Sequence, residues 1–252
     1  MATEVFTNYT EVDANNKLTV TSSRATGANV GRDEEVYLYK DFGPNYFNNL
    51  YVTFELYVAS TSVYAIDPNI AAVGGMGFAN VVDDVSGFSA TDINVMIGTE
   101  PINAFKLWLV RGPGAASDVY IGAADTIYYC LLERAVDSDT VTLKIYSDAA
   151  RTTLLDTLTI SGVGVTTQWR YCYGFVNWDG GYAGTEFDGY VQNLNIVLPN
   201  IYLMNLKGLK IPYEDKDESK ELHVLLKNLS PTSKEAGAAG EVVIEIKYEL
   251  AA

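Results

Sequence analysis

The amino-acid sequence predicts an all-β protein: a two-sheet antiparallel sandwich over residues 1–198, followed by a small β unit over 199–252. Three observations carry this expectation. Short runs of Val, Ile, Thr, Tyr and Phe recur along the chain, each bounded by Gly, Pro, Asn, Asp or Ser. Several runs alternate apolar and polar positions, the period of a strand with one covered face. Sustained i, i+3, i+4 spacing, which marks an amphipathic helix, is scarce.

Residues 18–22 (LTVTS) open the series, and 35–40 (EVYLYK) follow. Residues 50–58 contain YVTFELYV, which alternates cleanly. Residues 69–80 are apolar and Gly-rich, with Gly74, Gly75 and Gly77 ahead of Phe78. Residues 93–97 and 104–110 (AFKLWLV) flank a turn containing Pro101. Three strands come in quick order at 127–134, 140–146 and 154–160, and the intervening 147–153 (SDAARTT) reads as a turn. After a break at Gly162 and Gly164 come 170–177 and 187–197.

Composition changes near Pro199. Residues 1–199 carry 10 basic and 23 acidic groups, and all Trp and Phe; residues 200–252 carry 7 basic and 9 acidic groups, with Lys as the only basic residue type. Such a switch marks a separate unit. Its strands are expected at 201–206, 221–229 and 241–250, and three strands alone make a marginal core. This unit is therefore expected to anchor the protein or to join subunits.

The net charge of −15 and the pI near 4.4 disfavour binding to nucleic-acid phosphates or to anionic membranes. No apolar stretch approaches the roughly 20 residues that span a bilayer. The N-terminus, MATEVFTNYTEVD, has neither a basic nor an apolar region of the signal-peptide kind. Cys130 and Cys172 lie in apolar runs and read as buried thiols, with a disulfide left open. With one His and two Cys, the usual zinc sites are out of reach.

The stretch YYCLLERAVDSDTVTLKIYSDAARTTLLDTLTI (128–160), with RYCYGFVN and FDGYVQNLNIV after it and VDANNKLTVTSSRATGANVGRDEEVYLYKDFGPNYF before it, resembles the concanavalin A-like, laminin-G-like jelly rolls. The versions it is most similar to occur in structural proteins of bacteriophages. The resemblance spans roughly residues 5–197. It implies a jelly-roll sandwich, a place on a virion surface after synthesis in the host cytoplasm, and room for one structural calcium; it brings no catalytic motif with it.

Candidate sites follow from chemistry. Glu186-Phe187-Asp188 matches the first two acids of the Glu-x-Asp-x-x-Glu signature of concanavalin A-like glycosidases, but Val191 stands where the third would be. The loop Asn177-Trp178-Asp179-Gly180-Gly181-Tyr182 carries two aromatics and an acid; Trp178, Asp179 and Tyr182 are the glycan-binding candidates, set against a plain turn whose Trp caps the sandwich. Trp108 and Trp169 are expected in the core. The acidic pairs Asp83/Asp84, Asp137/Asp139 and Asp215/Asp217 read as solvated loop acids, and no calcium ligand set is evident. His223, the one histidine, lies in a strand-like run without a nucleophile elbow.

The function expected is that of a non-enzymatic, cofactor-free bacteriophage structural protein, a capsid decoration or fibre-like subunit held in a homo-oligomer by contacts with other virion proteins. The alternative is a lectin-like module that binds host or environmental glycans. Neither reading involves nucleic acid or membrane.

Overall fold

A computed structural model describes residues 3–60, 73–100, 104–112, 116–180 and 182–196, with residues 73, 98–100, 104, 116 and 182–185 described by their backbone alone. Fourteen strands run through them. They are β1 (Thr10–Asp13), β2 (Leu18–Val20), β3 (Arg24–Arg32), β4 (Val36–Asp41), β5 (Leu50–Val58), β6 (Val73–Ala79) and β7 (Ile93–Glu100), then β8 (Ala104–Arg111), β9 (Ala116–Ala123), β10 (Thr126–Arg134), β11 (Thr140–Tyr146), β12 (Leu154–Ser161), β13 (Tyr171–Val176) and β14 (Tyr182–Ile196). The unit expected over 199–252, with its three strands, His223, Asp215 and Asp217, lies outside the described residues.

The strands form two seven-stranded antiparallel sheets. The first has the order β1-β4-β13-β6-β7-β8-β9 and the second β12-β11-β10-β5-β14-β3-β2. The chain crosses repeatedly from one sheet to the other, so β14 closes the second sheet between β5 and β3, far from its sequence neighbours. This is the expected all-β, two-sheet antiparallel jelly-roll sandwich. Among the described residues no helix is long and apolar enough to cross a membrane.

Alternation places the core. In β5, Val52, Phe54, Leu56 and Val58 turn inward and are buried; in β11, Val141, Leu143 and Ile145 do the same. Trp169 and seven Phe, among them Phe54, Phe78 and Phe187, fill the space between the sheets. Phe187 needs room on both sides. A Cβ on Gly74 would stand 3.0 Å from its ring, and one on Gly189 2.6 Å, so glycine at both positions lets the ring in.

Three strands escape the sequence reading. β1 is short, β3 (RATGANVGR) carries Gly27, Asn29 and Gly31, and β9 (ASDVYIGA) is flanked by small residues. Each looks like a loop because local propensity is overridden by pairing with long neighbours, β3 with β14 and β9 with β8. Trp108 corrects another expectation. It points outward from β8 and is half-buried, whereas Trp169 is fully buried.

The sheet margins at β9 and β12 lie against each other. The Asp118 carboxylate accepts the backbone N–H of Val119 at 2.9 Å and of Thr159, across the gap, at 2.8 Å; Asp156 accepts from Thr157 at 2.7 Å. Carboxylates thus occupy N–H groups at the two terminal strands.

Candidate functional site

The loop that sequence singles out is held tightly. Asn177 is fully buried, and its amide donates to the carbonyls of Gly31 at 2.6 Å and Glu34 at 2.8 Å. The half-buried Trp178 packs against an outer apolar cluster on the first sheet that contains Tyr37, Tyr173 and Phe88, and the Arg32 guanidinium sits 4.9 Å from its ring centre. Asp179 binds through its backbone N–H to Asp84. Tyr182 does not belong to the loop: it starts β14, opposite Arg32, and its side chain is outside the described residues. Trp178 and Asp179 lie in a packed turn, and Tyr182 opens the strand that follows it.

The acids have structural uses. Asp188 accepts the Asn29 N–H at 2.9 Å, while Glu186 is exposed at a bulge of β14. Asp139 accepts from Gly162 and Gly164 at 2.9 and 2.6 Å and fixes that turn. Asp84 caps a 3₁₀ turn (Val85–Gly87) by accepting from Ser86. Burial raises its pKa, and that of Asp92, which is fully buried and accepts from Asn80 and Ser89 at 3.2 and 2.8 Å. No group of three or more His, Cys, Asp or Glu suited to a metal occurs among the described residues. Cys130 and Cys172 are free, buried thiols in opposite sheets.

A different surface gathers polar and aromatic groups: the outward face of the second sheet. Strand register puts Tyr146 of β11 opposite Tyr129 of β10, Tyr129 opposite Glu55 of β5, Glu55 opposite Gln192 of β14, and Gln192 opposite Arg24 of β3. These five half-buried side chains form one transverse row. At about 4.8 Å between strands it spans roughly 19 Å. In the adjacent row Tyr57 and Tyr190 stack at 4.9 Å with a 14° tilt.

Hydrogen bonds join three members of the row. Arg24 donates to Gln192 at 2.7 Å, Gln192 donates to Glu55 at 2.6 Å, and Asn193 donates to Glu55 at 3.0 Å. The Arg24 guanidinium also lies 4.0 Å from the Tyr190 ring centre. Burial holds the Tyr190 hydroxyl above its ordinary pKa against the pull of Arg24, with Glu55 and Tyr129 adding to the rise. Lys144 pairs with Glu133 at 2.6 Å farther along the face, and Tyr51 is exposed beside them. Flat rings half open to solvent, beside fixed amides and carboxylates, suit a ligand with both C–H faces and hydroxyls.

Sequence reasoning missed this face although it leaves a signal: outward positions of β5, β10 and β14 carry Tyr51, Glu55, Tyr57, Tyr129, Glu133, Tyr190 and Gln192 where a solvated face would more often carry Lys, Thr or Ser. What local sequence lacks is the pairing order that sets five strands side by side.

No family model and no curated protein matches the chain. Among solved structures it is similar to the CBM2 module of the evolved Dit of Lactobacillus casei BL23 phage J-1, with 9% identity, TM-score 0.40, and coverage of 78% of this chain and 88% of that one. It is likewise similar to lectin II from Ulex europaeus, with 12% identity, TM-score 0.36, and coverage of 75% and 88%. A third likeness is to the enzymatically active domain of bacteriophage CBA120 tailspike protein 2, with 9% identity, TM-score 0.38, and coverage of 76% of this chain and 27% of that one.

Proposed function

We propose that this chain is a non-enzymatic, carbohydrate-binding sandwich module carried on a bacteriophage particle. One observation supports the binding role above others: the row Tyr146, Tyr129, Glu55, Gln192, Arg24, with the Tyr57–Tyr190 stack beside it, presents half-exposed rings next to polar groups already fixed by hydrogen bonds. The row crosses five strands, so an extended glycan matches its length better than a single terminal sugar. The non-enzymatic part of the proposal draws support from Val191, which stands where the Glu-x-Asp-x-x-Glu signature has its third acid. The place on a particle, as a capsid decoration or fibre-like subunit held by protein contacts, rests on the sequence resemblance of residues 5–197, with residues 199–252 as the attachment segment.

The test is retention of the purified chain on immobilised glycans, comparing the wild type with Tyr129→Ala, Gln192→Ala and Trp178→Ala. Removing a ring that packs on a ligand costs about 1–2 kcal/mol, which is about tenfold in affinity. Tyr129→Ala is expected to lose about that factor and Trp178→Ala to keep wild-type retention. Loss with Trp178→Ala alone would move the site to the Asn177–Gly180 turn, and retention on no glycan would end the binding proposal. Protein identification in purified particles tests the virion placement separately.

A further inference from the structure

The turn between β11 and β12 holds one cation in an unusual way. Arg151 has φ 54°, in the left-handed region that non-glycine residues rarely occupy. Asp148 fixes the turn around it: its carboxylate accepts from the Thr152 hydroxyl at 3.1 Å and the Thr153 N–H at 2.6 Å, and its carbonyl accepts the Arg151 N–H at 2.9 Å. The result is an arm pointing back over the second sheet. Arg151 Nε donates to the Cys130 carbonyl at 3.3 Å and a terminal nitrogen to the Phe54 carbonyl at 3.4 Å.

Cys130 and Phe54 are register partners, and their side chains fill the core. The half-buried guanidinium therefore reaches their carbonyls from outside. It lies between the pair Tyr129/Glu55 and the next outward pair, Leu131/Thr53. Leu131 and Thr53 are buried despite facing outward.

Two other arginines make stronger contacts. Arg134 donates to the carbonyls of Asn48, Gly164, Thr167 and Ser138 at 2.6–3.0 Å, and Arg170 grips Asp41 with two bonds of 2.8 and 2.6 Å. Arg151 makes bonds only to neutral carbonyls, the third to Ala149 at 3.4 Å, all at the long end of the range, and no carboxylate pairs with it among the described residues. In a chain of net charge −15, a guanidinium without a carboxylate partner among the described residues is held by a left-handed turn beside a tyrosine row, where its charge and planar fork suit an anion.

We infer that the ligand of this face is an acidic glycan, and that Arg151 selects it by pairing with a carboxylate or sulfate group while the sugar rings lie along Tyr129 and Tyr146. This inference rests on the proposed binding role of the row. The chain's overall negative charge opposes such a ligand only weakly at close range, since at 0.15 M salt charges beyond about 8 Å are largely screened.

Retention is measured on polygalacturonate, dextran sulfate and unsubstituted dextran for the wild type, Arg151→Gln, Arg151→Lys and Tyr129→Ala. The expected result is tighter wild-type binding to one of the anionic matrices than to dextran. Arg151→Gln then loses about tenfold on that matrix and nothing on dextran, with Arg151→Lys in between because it keeps the charge and loses the fork. Which anionic matrix responds distinguishes carboxylate from sulfate. Equal binding of wild type and Arg151→Gln to all three matrices, with Tyr129→Ala still weakened, overturns the role of Arg151 and leaves the row standing. Indifference to Tyr129→Ala on every matrix overturns the binding role itself. Should Arg151→Gln fail to fold, Arg151→Lys carries the test: binding to the anionic matrix unchanged from wild type overturns the inference, and a selective loss there supports it.

Discussion

Arg134 shows how much a single side chain can bind together. It ends β10 at a position that alternation turns inward, after Tyr128, Cys130 and Leu132, and only 3% of it is exposed. Its guanidinium collects four backbone carbonyls from three separate loops and lies 4.8 Å from the Trp169 ring centre. Burial lowers its pKa, with Asp137 and Asp139 opposing the shift. Replacing it by Met leaves those carbonyls buried without donors, and removing one partner from such a network costs about 3–5 kcal/mol. Arg134→Met is expected to lower the unfolding free energy by about that amount in a urea titration followed by tryptophan fluorescence. The inward position of Arg134 was readable from alternation. Its partners at 48, 164 and 167 were not, because those loops meet only after the sheets are assembled. The same limit explains the site: Trp178 drew attention as a lone aromatic in a Gly-rich turn, while Tyr129 and Gln192 sit in ordinary strand runs and gain meaning only from their neighbours across the sheet.

Among the elements, the segment from Asn80 to Thr91 rests on two buried carboxylates. Asp84 ties it to Asp179 and Ser86, and Asp92 ties both of its ends through Asn80 and Ser89. Both groups have pKa values above the ordinary carboxylate range, chiefly through burial. The folded state therefore holds these protons more tightly than the unfolded chain does, so the stabilisation they give is present at low pH and fades as pH rises through the elevated values. The urea midpoint of the wild type is expected to fall over that window, and a double Asp84→Asn, Asp92→Asn variant to lose this part of the pH dependence. The expectation of solvated acids at Asp83/Asp84 holds for one of the two. Asp83 is partly exposed, but Asp84 is 4% exposed. The strands β3 and β9 were hidden for a related reason, since glycine and small residues that look like loop signals serve close packing against β14 and β8.

At the scale of the molecule, the two-sheet architecture was legible because alternation and strand spacing suffice to specify it, and the resemblance of residues 5–197 supplied the jelly-roll expectation, while the strand order was not readable. The interior is apolar and close-packed, and both cysteines lie in it. Burial pushes the Cys130 thiol up to about 12 and raises Cys172 as well. Since the thiolate is the reactive form, neither is expected to react with a disulfide reagent in the native protein; both should react together, at the rate of global unfolding, when urea is added. Prompt labelling of one cysteine in native buffer would contradict the packing described.

The carboxylates of Asp118 and Asp156 bear on crowding. Open strand margins are where copies of a β protein zip into fibrils, each chain templating the next. At β9 and β12 that reaction would first have to strip negative groups from the amides they cover and then bring like charges together. A particle displaying many copies of this subunit at close quarters would gain a margin along which runaway polymerisation is blocked.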